Sequence, residues 1–392
     1  MFYNATGSEA VNMRLDRNTP FGATLVESPG DVTPGTTVSQ GFPTAAPYNF
    51  LGPNPTVNLA SAINPKGAQS AVDPNFRPSY AEQFNLGIQQ EVTPLDLVVK
   101  VTGVGNLGRR LYNAADANQP IPDLPGVTTP LNNRRPFFAI NPNLSSVTNA
   151  TTQGLGEYYA LQVVVDKRLG HGVNALLGYA WSHAIDDVAL EFGGGDAGPS
   201  PQDPRFLRNE RSNSSIDQRQ RLTLSYLWAF PFGKGQRFLN YGGISNFVLG
   251  GWQTNGILLT QTGLYFSPVL NTSTTNTGTS SRPNQTGRVT YPKTLTNWFS
   301  PSAFSSPAIS TYGNAGRNSL IGPGRTNFDA SLLKNFPVHK AMNFQFRFEA
   351  FNVFNHPQFG YPNSTIGFSQ VGRITSTVGT PRNLQASLRF EF

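Results

Sequence analysis

The chain has 392 residues and a formal net charge of +7, with 39 glycines, 31 prolines, 28 phenylalanines, 13 tyrosines and no cysteine. The missing cysteines exclude disulfides and thiolate metal sites, and a charged fraction of only 13% favours strands and apolar surface over solvated helices. Lys and Arg are scattered singly, with "NNRRP" the densest cluster, which argues against nucleic acid as a partner, and no apolar run reaches the ~18 residues a membrane-crossing helix needs.

The opening, "MFYNATGSEAVNMRLDRNTPFG", lacks the charged-then-apolar layout of a signal peptide. Residues 1–79 read as a loop region following a truncated strand. From residue 80 onward, period-two alternation dominates, in stretches about ten residues long, the length a tilted strand needs to cross a bilayer. Nine such strands are expected: 80–91, 95–103, 157–169 ("EYYALQVVVDKRL"), 172–183, 217–230, 251–264, 326–336, 342–354 ("MNFQFRFEAFNVF") and 383–392 ("NLQASLRFEF"). Short connections ("VTP", "GH", "PVHKA") alternate with long ones at 104–156, 184–216, 265–325 and 355–382, and only 231–250 is intermediate. Short turns on one side and long loops on the other are how an outer-membrane barrel is strung from periplasm to exterior. Under that parity the last strand descends and the C-terminus lands in the periplasm. A soluble sandwich or propeller would alternate too, but with more uniform loops.

Two strands show their faces clearly. Phe344, Phe346, Phe348 and Ala350 oppose Gln345, Arg347 and Glu349; Leu222, Leu224, Tyr226, Trp228 and Phe230 oppose Arg221, Thr223 and Ser225. A charge on a lipid face costs roughly 2–4 kcal/mol near the midplane, so Arg221, Arg347, Glu349, Arg389 and Glu391 are expected to point into the lumen. The opposed charges two apart, Arg347 with Glu349 and Arg389 with Glu391, are expected to pair across neighbouring strands. Tyr226, Trp228 and Phe230 have the placement of an interfacial girdle.

Conventional chemistry is sparse. His171, His339 and His356 stand at turns or strand ends without partners at metal spacing. In "WSHAIDD", His183 is followed by Asp186 and Asp187, with Glu191 and Asp196 further along. This pattern reads as an exposed acidic loop, with a His–Asp couple or cation site as the sharper alternative. "PFGKGQRF" lacks the spacing of a phosphate loop and reads as a turn that places Lys234 and Arg237 near a membrane surface, and no nucleophile elbow or cofactor fingerprint occurs. No cofactor or enzymatic activity is expected. The loop aromatics Phe137, Phe138, Tyr265, Trp298 and Tyr312 are expected to anchor loops on one another, with stacking on a ligand as the alternative.

Eight segments in order, among them "YYALQVVVDKRL", "YAWSHAIDD", "LSYLWAFPFGKGQRF", "GGWQTNGILLTQTG", "FRFEAFNVFNHPQFG" and the terminal "LQASLRFEF", resemble the C-terminal barrel of the Oar-like TonB-dependent outer-membrane receptors. The resemblance implies an all-β, antiparallel transmembrane β-barrel with long extracellular loops, here the incomplete C-terminal half of a larger barrel. It also implies a plug, a TonB partner in the full-length form, outer-membrane lipid around the wall, and an unidentified ligand held by the loops. Terminal Phe390 and Phe392 resemble the signal read by the barrel assembly machinery. Two alternatives remain open: a self-contained channel or adhesin, and a soluble β-rich carbohydrate-binding or interaction protein.

Overall fold

The computed structural model describes residues 2–4, 67–170, 172–188, 201–279, 281–339 and 342–391. Ten strands form the backbone of one sheet, numbered in chain order: β1 Phe2–Asn4, β2 Ser79–Val92, β3 Leu97–Asp116, β4 Leu144–Gly170, β5 Val173–Asp186, β6 Gln220–Ala229, β7 Trp252–Gln261, β8 Arg325–His339, β9 Met342–Phe351 and β10 Asn383–Glu391. Each pairs antiparallel with the next, so the sheet is an unbroken meander, and β1 and β10 lie at its two ends without pairing to each other. All nine expected strands are present, and β1 pairs with the first of them as a tenth. Phe392, His171, Glu191, Asp196 and most of residues 1–66 lie outside the described residues.

The largest departure from the expected pattern is at β3 and β4, which extend far beyond 95–103 and 157–169. Their ladder continues to Asp116 opposite Thr148, leaving a loop of only 117–143. The register shifts between Arg109, Leu111 and Asn113 explain why alternation did not reveal this. A bulge moves following side chains to the other face, so the period-two pattern breaks while the ladder goes on. Gly67–Val72 joins the same extension, pairing parallel with β4 from Leu144 to Ala150.

Because residues directly opposite in a ladder share a face, the register divides the sheet into two surfaces. One carries Phe84, Leu86 and Ile88; Val99 and Val101; Tyr159, Leu161, Val163 and Val165; Leu177, Tyr179 and Trp181; Leu222, Leu224, Tyr226 and Trp228; Phe344, Phe346 and Phe348; and Leu384, Leu388 and Phe390. Many of these are exposed, Leu86 by 82% and Leu388 by 68%. On β4 this apolar stretch is bounded by Glu157 and Lys167, ten residues apart. At ~3.3 Å per residue and a tilt near 40°, that separation gives a band about 25 Å tall, the height of a bilayer's apolar zone. Gly256 has no side chain on this face, so the rings of Tyr226 and Phe328 approach across β7, with centroids 6.5 Å apart and nearly parallel. A Cβ there would meet Tyr226 at 2.7 Å and the Asp329 carbonyl at 2.9 Å.

The opposite surface is the more polar one, carrying Asn85 and Gln89, Lys100 and Thr102, Gln162 and Asp166, Arg221 and Thr223, Arg325 and Asp329, Arg347 and Glu349, and Gln385 and Arg389 among fewer apolar side chains. Arg347 and Glu349 form their ion pair along β9, at 3.6 Å. The register places Ser387 opposite Arg347, Gln385 opposite Glu349, and Gln345 opposite Arg389, so none of these three charges has an opposite charge directly across the ladder. Glu391 stands opposite Asn343 in the ladder.

Candidate functional site

With the apolar face of the sheet exposed, the buried apolar core lies elsewhere, in the long loops. Trp298, Phe299, Ala303, Phe304, Ala315, Leu320, Ile366 and Ile374 pack together, with Phe266, Tyr291 and Phe359 against them. All but Ile366, Ile374 and Phe359 come from the third long loop, 262–324; those three come from the fourth, 352–382. The two loops are stitched by a parallel bridge between Val269–Leu270 and Thr365–Ile366. Trp298 N–H donates to the Gly372 carbonyl at 2.8 Å, and its indole N–H donates to the Ile321 carbonyl at 2.9 Å. Of the five loop aromatics singled out in the sequence, Trp298 is thus a core residue. Tyr312 keeps its hydroxyl 3.3 Å from Gln119, and Tyr265 lies under the Arg219 guanidinium at 6.0 Å.

Charged side chains lock the second long loop, 187–219, to the third. The Arg282 guanidinium makes a bidentate pair with Glu210, at 2.5 and 3.0 Å, both side chains being almost fully buried. Arg317 donates to the Glu210 carbonyl at 3.0 Å, to the Asp186 carbonyl at 2.7 Å, and to the Asp186 carboxylate. Burying an ion costs several kcal/mol, which a closely aligned partner of opposite charge offsets. Gln202 is the other junction, with its amide reaching the Gly313 carbonyl at 3.2 Å and its carbonyl accepting Arg282 N–H at 2.7 Å. Gly313 must be glycine, since a Cβ would fall 2.0 Å from the Arg282 carbonyl. The first loop, 117–143, joins through Gln119, which donates to the Gln202 carbonyl at 2.5 Å, and Arg134, which donates to the Asn276 carbonyl at 2.8 Å.

The expected exposed acidic loop is therefore corrected. Asp186, the last residue of β5, and Asp187 after it are both buried where the second and third loops close over the strand end. Asp186 is Arg317's partner, and the Asp187 carboxylate accepts Leu155 N–H at 2.7 Å. Burial pushes the Asp187 carboxyl above the ordinary carboxylate range, against the pull of the Leu155 hydrogen bond, and the adjacent Asp186 charge adds to the rise. His183 is coupled instead to residues that no sequence motif singles out. It accepts an N–H from Arg219 at 2.8 Å, and its ring lies 4.0 Å from Asp217. Asp217 is fully buried and caps the Ala184 N–H at 2.8 Å; burial raises its carboxyl. Among the described residues no group of three His, Asp or Glu is arranged to hold a metal.

A cleft of about 460 Å³ opens between the second and third loops, lined by Asp203, Phe206, Glu210, Arg282, Tyr312 and Gly313. Its two acids are answered at close range, Asp203 by Arg205 at 2.6 Å and Glu210 by Arg282. The cleft is nearly neutral.

A wall with one exposed apolar face and one polar face, short turns at one end and interlocked loops at the other, is the architecture of a bacterial outer-membrane barrel. The chain belongs to the outer membrane beta barrel domain family, whose model matches residues 1–385. That membership places it in the bacterial outer membrane and sets aside the soluble β-rich alternative. No curated protein matches it in sequence. Among solved structures it is similar to the outer membrane transporter YddB from Escherichia coli, at 9% identity and a TM-score of 0.45, covering 83% of this chain and 34% of that one. It is also similar to BauA, the ferric preacinetobactin receptor from Acinetobacter baumannii (12% identity, TM-score 0.39, 81% and 30% covered), and to the ferripyoverdine receptor of Pseudomonas aeruginosa (13%, 0.38, 81% and 28%). The chain thus spans about a third of the length of these structures.

Proposed function

We propose that this chain is wall and loops of a TonB-dependent type receptor or transporter, in which the joined loops capture a ligand outside the cell and a plug working with TonB governs passage through the lumen. The observation that carries the reading is the asymmetry of the wall's two ends, with four long loops knitted into one assembly by buried ion pairs, hydrogen bonds, a strand bridge and an apolar core at one end and mostly tight turns at the other. In this orientation His183, Asp186 and Asp187 belong to the extracellular side. Arg221, Arg347, Glu349, Arg389 and Glu391 face the lumen, and the mechanism is non-enzymatic. Phe390, beside Phe344 at 4.6 Å on the apolar face, and Phe392 supply the signal to the barrel assembly machinery. The plug and the remaining circumference of the barrel come from outside this chain.

Bilayer conductance of the full-length protein tests this against the channel alternative. A plugged receptor should give no steady current until denaturant loosens the plug. A steady current in its absence would overturn the reading in favour of a self-contained channel.

A further inference from the structure

A buried cation lies on the apolar face of the wall, and the 231–250 link is built around it. Along β8 that face reads Phe328, Ala330, Leu332, Lys334, Phe336, so a lysine sits where lipid is expected. Lys334 is nonetheless 3% exposed: its ammonium lies over the rings of Trp252 at 5.0 Å and Phe336 at 4.9 Å, and donates to the Gly250 carbonyl. The cover comes from the link itself. Its short helix Ile244–Leu249 folds onto the outer side of the wall, with the Phe247 ring 5.1 Å from that of Phe336 and the Val248 carbonyl accepting the Trp252 indole N–H at 2.9 Å. At its other end the girdle continues off β6 into the link through Trp228, Phe230, Phe232 and Phe238, each ring 4.8–6.3 Å from the next.

The link is thus attached to the lipid side of the wall at both ends, yet its own outer surface is apolar and uncovered. Ile244 is 84% exposed, Tyr241 66% and Phe247 62%. In water such a patch is a liability, whereas at a membrane interface it is a site of burial. Lys234 and Arg237 stand in the same link, both exposed, with the Arg237 guanidinium 5.3 Å over the Phe238 ring. Cations beside interfacial aromatics suit phospholipid phosphates.

We propose that residues 231–250 form an in-plane membrane anchor that docks on the phospholipid leaflet at the short-turn end of the wall. Ile244, Phe247 and Val248 enter the acyl boundary and Lys234 and Arg237 reach phosphates, while the same segment shields the charge of Lys334 from hydrocarbon. Two features commit the surface to lipid. It is continuous with the apolar face of the wall, and its charge is opposite to that of phospholipid phosphate. The proposal rests on the barrel reading of the sheet and not on which molecule the loops bind.

The chain has no cysteine, so single nitroxide labels can be placed without background. Labels at Tyr241, Ile244 and Val248, in the chain co-produced with strands that complete the circumference and reconstituted in phosphatidylethanolamine–phosphatidylglycerol bilayers, should be several-fold more accessible to oxygen than to a water-soluble nickel chelate, unlike a label at exposed Val127 in the first loop. Nickel access equal to that at Val127 would place the segment in water and overturn the proposal; exclusion of both reagents would mean that protein covers it, and would overturn the proposal equally. A label at Leu224, mid-wall on the apolar face, separates the two readings. If it stays oxygen-accessible while Ile244 is wet, only the anchor fails; if it is wet as well, the barrel reading falls too.

Discussion

Arg317 is the residue on which the loop assembly turns. It is almost fully buried and answers both the Asp186 carboxylate and the Glu210 carbonyl, so Arg317→Ala leaves a buried carboxylate without its cation. Removing one partner of a buried pair costs about 3–5 kcal/mol. The expected outcome is rapid protease cleavage within 262–324 while the wall stays resistant, and wild-type resistance of that loop would show that Arg317 does not hold it. Asp187 gives a pH dependence with a definite sign. Its folded carboxyl is raised by burial, so the closed junction favours the protonated form. Stability is lost as pH rises from the unfolded value of about 3.9 through the folded one. Asp187→Asn keeps an acceptor for Leu155 N–H and has no charge to bury. Protease resistance of the β5–loop junction should therefore fall with pH in the wild type and stay flat in the variant.

At the scale of a strand, the two faces make opposite demands on the same substitution. Leu224 lies on the apolar face of β6, and Thr223, one residue before it, lies on the polar face beside Gly178. Arginine at the first position should cost roughly 2–4 kcal/mol near the midplane, and at the second little. Urea unfolding of Leu224→Arg and Thr223→Arg in lipid measures the difference, and equal losses would refute the assignment of faces. The alternation of "LTLSYLW" shows this division without any structure. What alternation misses is the upper half of β3 and β4, where bulges reset the phase, and the folding of the 231–250 link onto the wall, which depends on Trp252 and Phe336 from other strands.

Across the whole molecule, the sheet is open among the described residues. β1 and β10 do not meet, and a sheet in hydrocarbon must close because its edge groups have no water to bond. The chain produced alone should therefore self-associate in detergent, and co-production with strands that complete the circumference should restore a single species by size exclusion. A monodisperse, heat-modifiable barrel from the chain alone would overturn this expectation.

The class of wall is legible in the residues alone, because strand periodicity, the aromatic face and the rhythm of short and long connections are local properties that every ten residues repeat. The sequence did not reveal that the long loops carry the molecule's apolar core, nor that Asp186 and Asp187 are buried. Those outcomes depend on partners far along the chain: Arg317 lies 131 residues from Asp186, and Arg282 72 from Glu210. An Asp-Asp pair after a strand looks solvated until a guanidinium from another loop is brought to it. Only closure of the tertiary structure does that, since the desolvation of each ion is compensated by a partner whose position no local pattern encodes.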